Sequence, residues 1–172
     1  MQQLSLQSIP TQLNTKWRIQ LFLAIRDLPY KIGTKSEDTS CVAKTKLLGE
    51  LLTRIGLECQ VWKAVVNWDE MGIPTELLQL TSKPTVNHFF LKVIIPERKR
   101  WVIVDATWDN RFANELPVND WDGLSDTTLA YSSDRLELVG SVDEFEFRNF
   151  DPEETFTKKL NDWYESLAER KI

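Results

Sequence analysis

The stretch from Asn87 to Thr107 constrains the fold more than any other part of the chain. It holds two strand-like runs, Asn87–Ile95 (NHFFLKVII) and Arg100–Thr107 (RWVIVDAT), joined through Pro96–Lys99. Two apolar runs so closely spaced read as a β-hairpin. Side chains alternate faces along a strand, so the register of the hairpin decides which of them meet. If Ile95 pairs with Arg100, His88 falls opposite Thr107 and Asp105 opposite Phe90. His88 and Asp105 are then diagonal neighbours on one face, roughly 7–8 Å apart at the backbone. A slip of one residue would send them to opposite faces. The other face carries Phe89, Leu91, Val93, Ile95, Val102 and Val104, a continuous apolar surface that must be buried. The His88 face is mixed, with Phe90, Ile94, Trp101 and Ile103, and it also needs a cover.

Upstream lies the clearest helix. Ser36, Asp38, Thr39 and Ser40 all offer N-cap oxygens. Ala43, Leu47, Leu48, Leu51, Leu52 and Ile55 then recur at three- and four-residue steps, and Gly56 supplies a C-terminal stop. Cys41 therefore sits in the first turn of an amphipathic helix, whose leucine stripe is the natural cover for the mixed face. The positive end of the helix dipole favours thiolate over thiol there. Lys16–Asp27 reads as an earlier helix after a loose polar lead-in over residues 1–14, Tyr30–Ser40 as a loop, and Leu57–Trp68 as a strand. Asp69–Val86 reads as a connection with a short helical turn at Thr75–Leu80. Leu136–Val139 suggests a further strand. A last helix over about residues 152–170, capped by Asp151 or Thr155, carries Phe156, Leu160, Trp163, Tyr164 and Leu167.

Composition narrows the function classes. The chain has 172 residues, enough for a single domain with its own core, and 42% of them are hydrophobic, a globular value. A net charge of −5 argues against nonspecific nucleic-acid binding, which rests on Lys and Arg. The densest basic cluster, Arg98–Lys99–Arg100, reads as a charged hairpin tip. No run approaches the ~20 apolar residues of a membrane span, and the N-terminus lacks a signal-peptide pattern. Two cysteines in an acidic domain suggest reduced thiols and a cytoplasmic setting. Asp109, Glu115, Asp120, Asp122 and Asp126 lack the spacing of a calcium loop, so neither a metal nor a cofactor is expected.

Three segments, SCVAKTKLLGELLTRIGLECQVW, NHFFLKVII and RWVIVDATWD, together resemble the transglutaminase-like superfamily of papain-like thiol enzymes. They span about residues 36–110. The most specific match is Trp101, Val104, Asp105, Thr107 and Trp108 in the order of the family's W-x-x-[VL]-D-x-T-[WY] pattern. Ala106 departs from it where proline is frequent, and Ser40 and Val42 flank the cysteine where glycine or tryptophan is frequent. The resemblance implies an α+β fold, with the nucleophile helix packed on an antiparallel sheet. It assigns Cys41 as nucleophile, His88 as base and Asp105 as orienting carboxylate. It implies an acyl-thioester formed on peptide or amide substrates, with water or an amine as acceptor: a protease, amidase, deamidase or acyltransferase. The Cys41 backbone N–H would be one oxyanion donor, with Tyr30, Lys35 and Ser36 as candidates for the second.

Each residue also has a plain structural reading. Cys41 alone could be a packed thiol, His88 a hydrogen-bonded core imidazole and Asp105 a turn residue. It is their joint occurrence in one order, on a helix and two strands, that favours catalysis. Cys59 reads as structural. Trp108 is a candidate substrate-binding wall of the cleft or a core residue, and Trp62 and Trp68 leave the same choice open. A noncatalytic domain that binds a peptide or partner protein is the alternative function. An arylamine-type acetyltransferase is disfavoured by the short chain. Substrate and oligomeric state are left open.

Overall fold

A computed structural model describes residues 11–33, 37–145 and 154–170. The fold is α+β. Helix α1 (Thr11–Arg26) and helix α2 (Cys41–Arg54) precede strand β1 (Cys59–Asn67). A 3-10 turn (Trp68–Met71) and the short α3 (Thr75–Leu78) lead to β2 (Thr85–Ile95) and β3 (Arg100–Val104). After a long irregular segment come β4 (Leu136–Ser141) and α4 (Glu154–Ala168). The strands form one antiparallel sheet in the order β3-β2-β1-β4.

The hairpin has the register that places His88 and Asp105 on one face. Ile95 pairs with Arg100 and Leu91 with Val104. Its turn closes with Arg98 N–H on Ile95 O at 3.1 Å, and Lys99 takes a positive φ of 49°. On the apolar face, Leu91, Val93, Ile95, Val102 and Val104 join Cys59 and Val61 from β1, and Leu48 and Leu52 from α2 pack onto them. The leucine stripe of α2 therefore covers this face and not the His88 face. The reason is area: the face with no polar side chain has the most apolar surface to remove from water. The mixed face is closed instead by Met71, Leu129 and Tyr131, which pack on Ala64, Val66 and Phe90.

Helix α2 ends as its sequence dictates. Gly56 at φ 90° lets Gly56 N–H reach Thr53 O at 2.9 Å and Leu57 N–H reach Leu52 O at 3.1 Å. That pair of bonds, with the buried Leu52 and Leu57, is a Schellman stop. At its start the expectation fails in detail. Ser40 occupies the N-cap position but its side chain makes no capping bond. Asp38 instead accepts from the Ser40 and Gly33 N–H groups, which shapes the entering loop.

Helix α1 starts at Thr11, inside the stretch that reads as a loose lead-in. An opening helical turn needs no apolar residue, so hydrophobic period does not mark it. The last helix begins at Glu154, so Thr155 lies within it and is no cap, while Asp151 lies outside the described residues. Phe156, Leu160, Tyr164 and Leu167 are buried there, in a second core with Tyr30, Trp68, Trp108 and Phe112. Among the described residues no helix is long and apolar enough to cross a membrane.

The two faces of α2 give a direct test. Leu48 is 1% exposed and Leu47 41%. Urea unfolding should show Leu48→Ala losing ~2–5 kcal/mol, and Leu47→Ala changing stability by about 0.5 kcal/mol or less. Equal losses would mean that a different face of α2 is buried.

Candidate active site

Three elements deliver the three residues. Cys41 opens α2, His88 lies in β2, and Asp105 immediately follows β3. His88 Nε2 and Asp105 Oδ2 are 2.7 Å apart, and each side chain is 1% exposed. The other ring nitrogen, Nδ1, is buried without a hydrogen-bond partner. The Cys41 thiol lies beside the His88 ring, close enough to act on its protonation. A loose nucleophile–base contact is common before substrate binds and tightens in the reactive complex.

The sequence makes Asp105 an anchor as well as a partner. Its Oδ2 also accepts Ala130 N–H at 2.7 Å, and its Oδ1 accepts Thr107 N–H at 3.0 Å. Its own N–H donates to Thr127 Oγ1, and its carbonyl accepts from Asn119 Nδ2. A carboxylate with this many donors is held in its charged form. Burial pushes the Asp105 pKa up, but His88 and these N–H groups outweigh it and bring it below the ordinary value. Burial likewise lowers the His88 pKa, yet the Asp105 charge and hydrogen bond, with Cys41, raise it from 6.5 to about 10. The imidazole therefore favours its protonated form more strongly than a free imidazole does.

Asn119, Thr127 and Ala130 belong to a loop that carries no recognition motif in the sequence. The sequence offers Tyr30 as a candidate oxyanion donor and Tyr164 as a helix-stripe residue, but it does not bring the tyrosines together. The chain has three, Tyr30, Tyr131 and Tyr164, and all interact electrostatically with Cys41. Burial raises the pKa of each, so all three stay neutral phenols. The Tyr131 and Tyr164 hydroxyls are 3.0 Å apart, and the Tyr131 ring stands edge-on to His88 at 5.3 Å. These residues are distant in sequence, and only tertiary packing joins them.

Trp108 lies in the second core. It is 2% exposed, enclosed by Tyr30, Phe112, Tyr131 and Tyr164, with Nε1 donating to Ala130 O at 3.5 Å. Its size and its single polar atom suit it to the second core better than to an open cleft. Trp68 is buried against Phe156, whereas Trp62 lies partly exposed under the Lys92 ammonium. Lys35 and Ser36 lie outside the described residues. The Tyr30 N–H is occupied by Asp109 Oδ2 at 2.6 Å, so it is not free to act as an oxyanion donor.

The acidic loop residues have structural partners. Asp109 holds Arg111, Asp120 holds Arg26, Asp122 accepts the Leu124 and Ser125 N–H groups, and Asp126 accepts Ile103 N–H. Among the described residues, no three His, Cys, Asp or Glu side chains are grouped to hold a metal ion. Both cysteines are free, and burial pushes the Cys59 thiol up to about 11. No protein-family model, curated protein or solved structure matches the chain.

The His88–Asp105 pair gives stability a pH signature. A His88 pKa raised from 6.5 to about 10 adds stability that is complete below 6.5 and lost as pH rises through 10. An Asp105 pKa held below 3.8 adds stability that is present above 3.8 and lost as pH falls through its folded value. Denaturant unfolding of the wild type should therefore weaken from pH 6.5 to 10, and Asp105→Asn should flatten that slope. An unchanged slope in Asp105→Asn would contradict the pairing.

Proposed function

We propose that this chain is a transglutaminase-like, papain-like thiol enzyme acting on peptide or amide bonds through Cys41, His88 and Asp105. The observation that carries the reading is the buried imidazole held between two groups. Its Nε2 is fixed on Asp105 at 2.7 Å, and its Nδ1 has no other partner and is left for the Cys41 thiol. In the proposed cycle the proton of the Cys41 thiol already resides on His88, whose raised pKa favours holding it, and the sulfur is left as the thiolate. Sγ attacks the carbonyl carbon, and the carbonyl oxygen becomes an oxyanion. Cys41 is the first residue of α2, so its N–H has no acceptor within the helix and is suited to receive that charge. His88 then protonates the leaving amine, giving an acyl-thioester that passes to water or to an amine. Asp105 keeps the ring oriented and stabilises its positive charge. No cofactor takes part in this cycle, and two free thiols suit the reducing cytoplasm.

A second reading, a noncatalytic domain that binds a peptide or partner protein, draws on one observation: Cys41 is only 9% exposed. Alkylation by iodoacetamide at pH 7, read by mass spectrometry, separates the two. The enzyme reading predicts that Cys41 is modified while Cys59 is not, and that His88→Ala slows Cys41 by about tenfold or more. A Cys41 as inert as Cys59, or one indifferent to His88, would favour the binding domain.

A further inference from the structure

Lys44 is a buried cation that the proposed cycle does not use. It lies one helical turn after Cys41 on α2 and is 1% exposed. Its Nζ donates to Thr107 O at 2.9 Å and to Arg26 O at 2.8 Å. Arg26 is the last residue of α1, so its carbonyl belongs to the negative end of that helix, where a cation is favoured. Thr107 is the residue whose N–H donates to Asp105 Oδ1.

These bonds form a chain that runs from Lys44 on the Cys41 helix to Thr107, back to Asp105 and on to His88. Lys44, Thr107, Asp105 and His88 are each at most 2% exposed, so no link is loosened by water. Burying an ammonium is expensive, and a methionine of similar length would fill the space without that cost. What methionine cannot do is satisfy the two carbonyls and fix the distance between α2 and the segment that carries Asp105. Burial lowers the Lys44 pKa to about 8, with Asp109 and Asp27 opposing the shift and Arg111 and Arg26 adding to it.

We infer that Lys44 is a positioning residue: it ties the nucleophile helix to the Asp105–Thr107 segment and so sets the spacing of Cys41 and His88. The inference deepens the enzyme reading and rests on it only for its consequence in reactivity.

His88 is the only histidine in the chain, so its imidazole resonances need no assignment. In wild type the Nε2–H bonded to Asp105 should give a far-downfield proton signal that exchanges slowly with water. Lys44→Met should fold, as judged by circular dichroism, while that signal moves upfield and exchanges faster. Cys41 alkylation at pH 7 should fall about tenfold or more, as a displaced reacting pair does. In a His88→Ala background the same substitution should cost less than about twofold, which a general loosening of the fold would not give. Lys44→Arg, which keeps a charged donor, should restore most of the rate. If Lys44→Met does not fold, Lys44→Gln is read the same way. An unchanged His88 signal in the folded variant, or an equal loss with and without His88, overturns the inference. If wild-type alkylation does not depend on His88, the enzyme reading fails, and the His88 signal alone decides the positioning role.

Discussion

The hydrogen bond between His88 and Asp105 is the interaction around which the rest of this structure is arranged. Two ionisable groups at 1% exposure are costly unless each is paired and every remaining polar atom is satisfied. Asp105 meets that requirement by gathering backbone N–H groups from Thr107 and Ala130, and its own backbone is held by Thr127 and Asn119. The path of the long segment after β3 follows from this. Asn119 also accepts from the Thr128 N–H and hydroxyl, so the loop folds back on itself around the carboxylate. The sheet register follows as well, because a slip of one residue would separate the pair.

The pair also explains the division of the interior into two cores. The apolar face of the sheet is sealed by the α1 and α2 layer. The His88 side is sealed by aromatic rings from distant parts of the chain, with Trp108 at the centre of Tyr30, Phe112, Tyr131 and Tyr164. Cys41 stands at the head of a helix that belongs to the first core and interacts electrostatically with Tyr30 and Tyr164 of the second. Helix α4 joins the second core through Tyr164. It is fastened to the loop before Cys41 by a two-way bond between the Asn161 amide and the Ile32 backbone. The surroundings of the thiol thus depend on both ends of the chain.

Much of this was legible in the sequence where a short-range pattern controls the outcome. Alternation over β2 and β3 gave the faces, the pairing of Ile95 with Arg100 supposed for the brief turn is the one found, and the leucine repeat ending in Gly56 gave α2. Those features bring Cys41, His88 and Asp105 into one neighbourhood. What stayed hidden depends on partners far apart in the chain. Lys44 looks like a solvated helix residue until the carbonyls of Arg26 and Thr107 are placed beside it. The three tyrosines show no mutual spacing. Trp108 follows the aspartate strand closely enough to suggest a cleft wall, yet the volume behind it is filled by rings from α4 and from Tyr30. The cover of the mixed face, Leu129 and Tyr131, comes from a loop with no periodicity.

The central claim is that Cys41 is an acyl-accepting nucleophile served by His88 and Asp105. The most direct measurement is rapid mixing with p-nitrophenyl acetate, followed by intact mass. The account predicts a burst of about one p-nitrophenolate per chain, with the thiolate displacing it and the acetyl group carried on Cys41. The burst should vanish in Cys41→Ala and slow sharply in His88→Ala and Asp105→Asn. Release without a burst, or a burst that persists in Cys41→Ala, would contradict it.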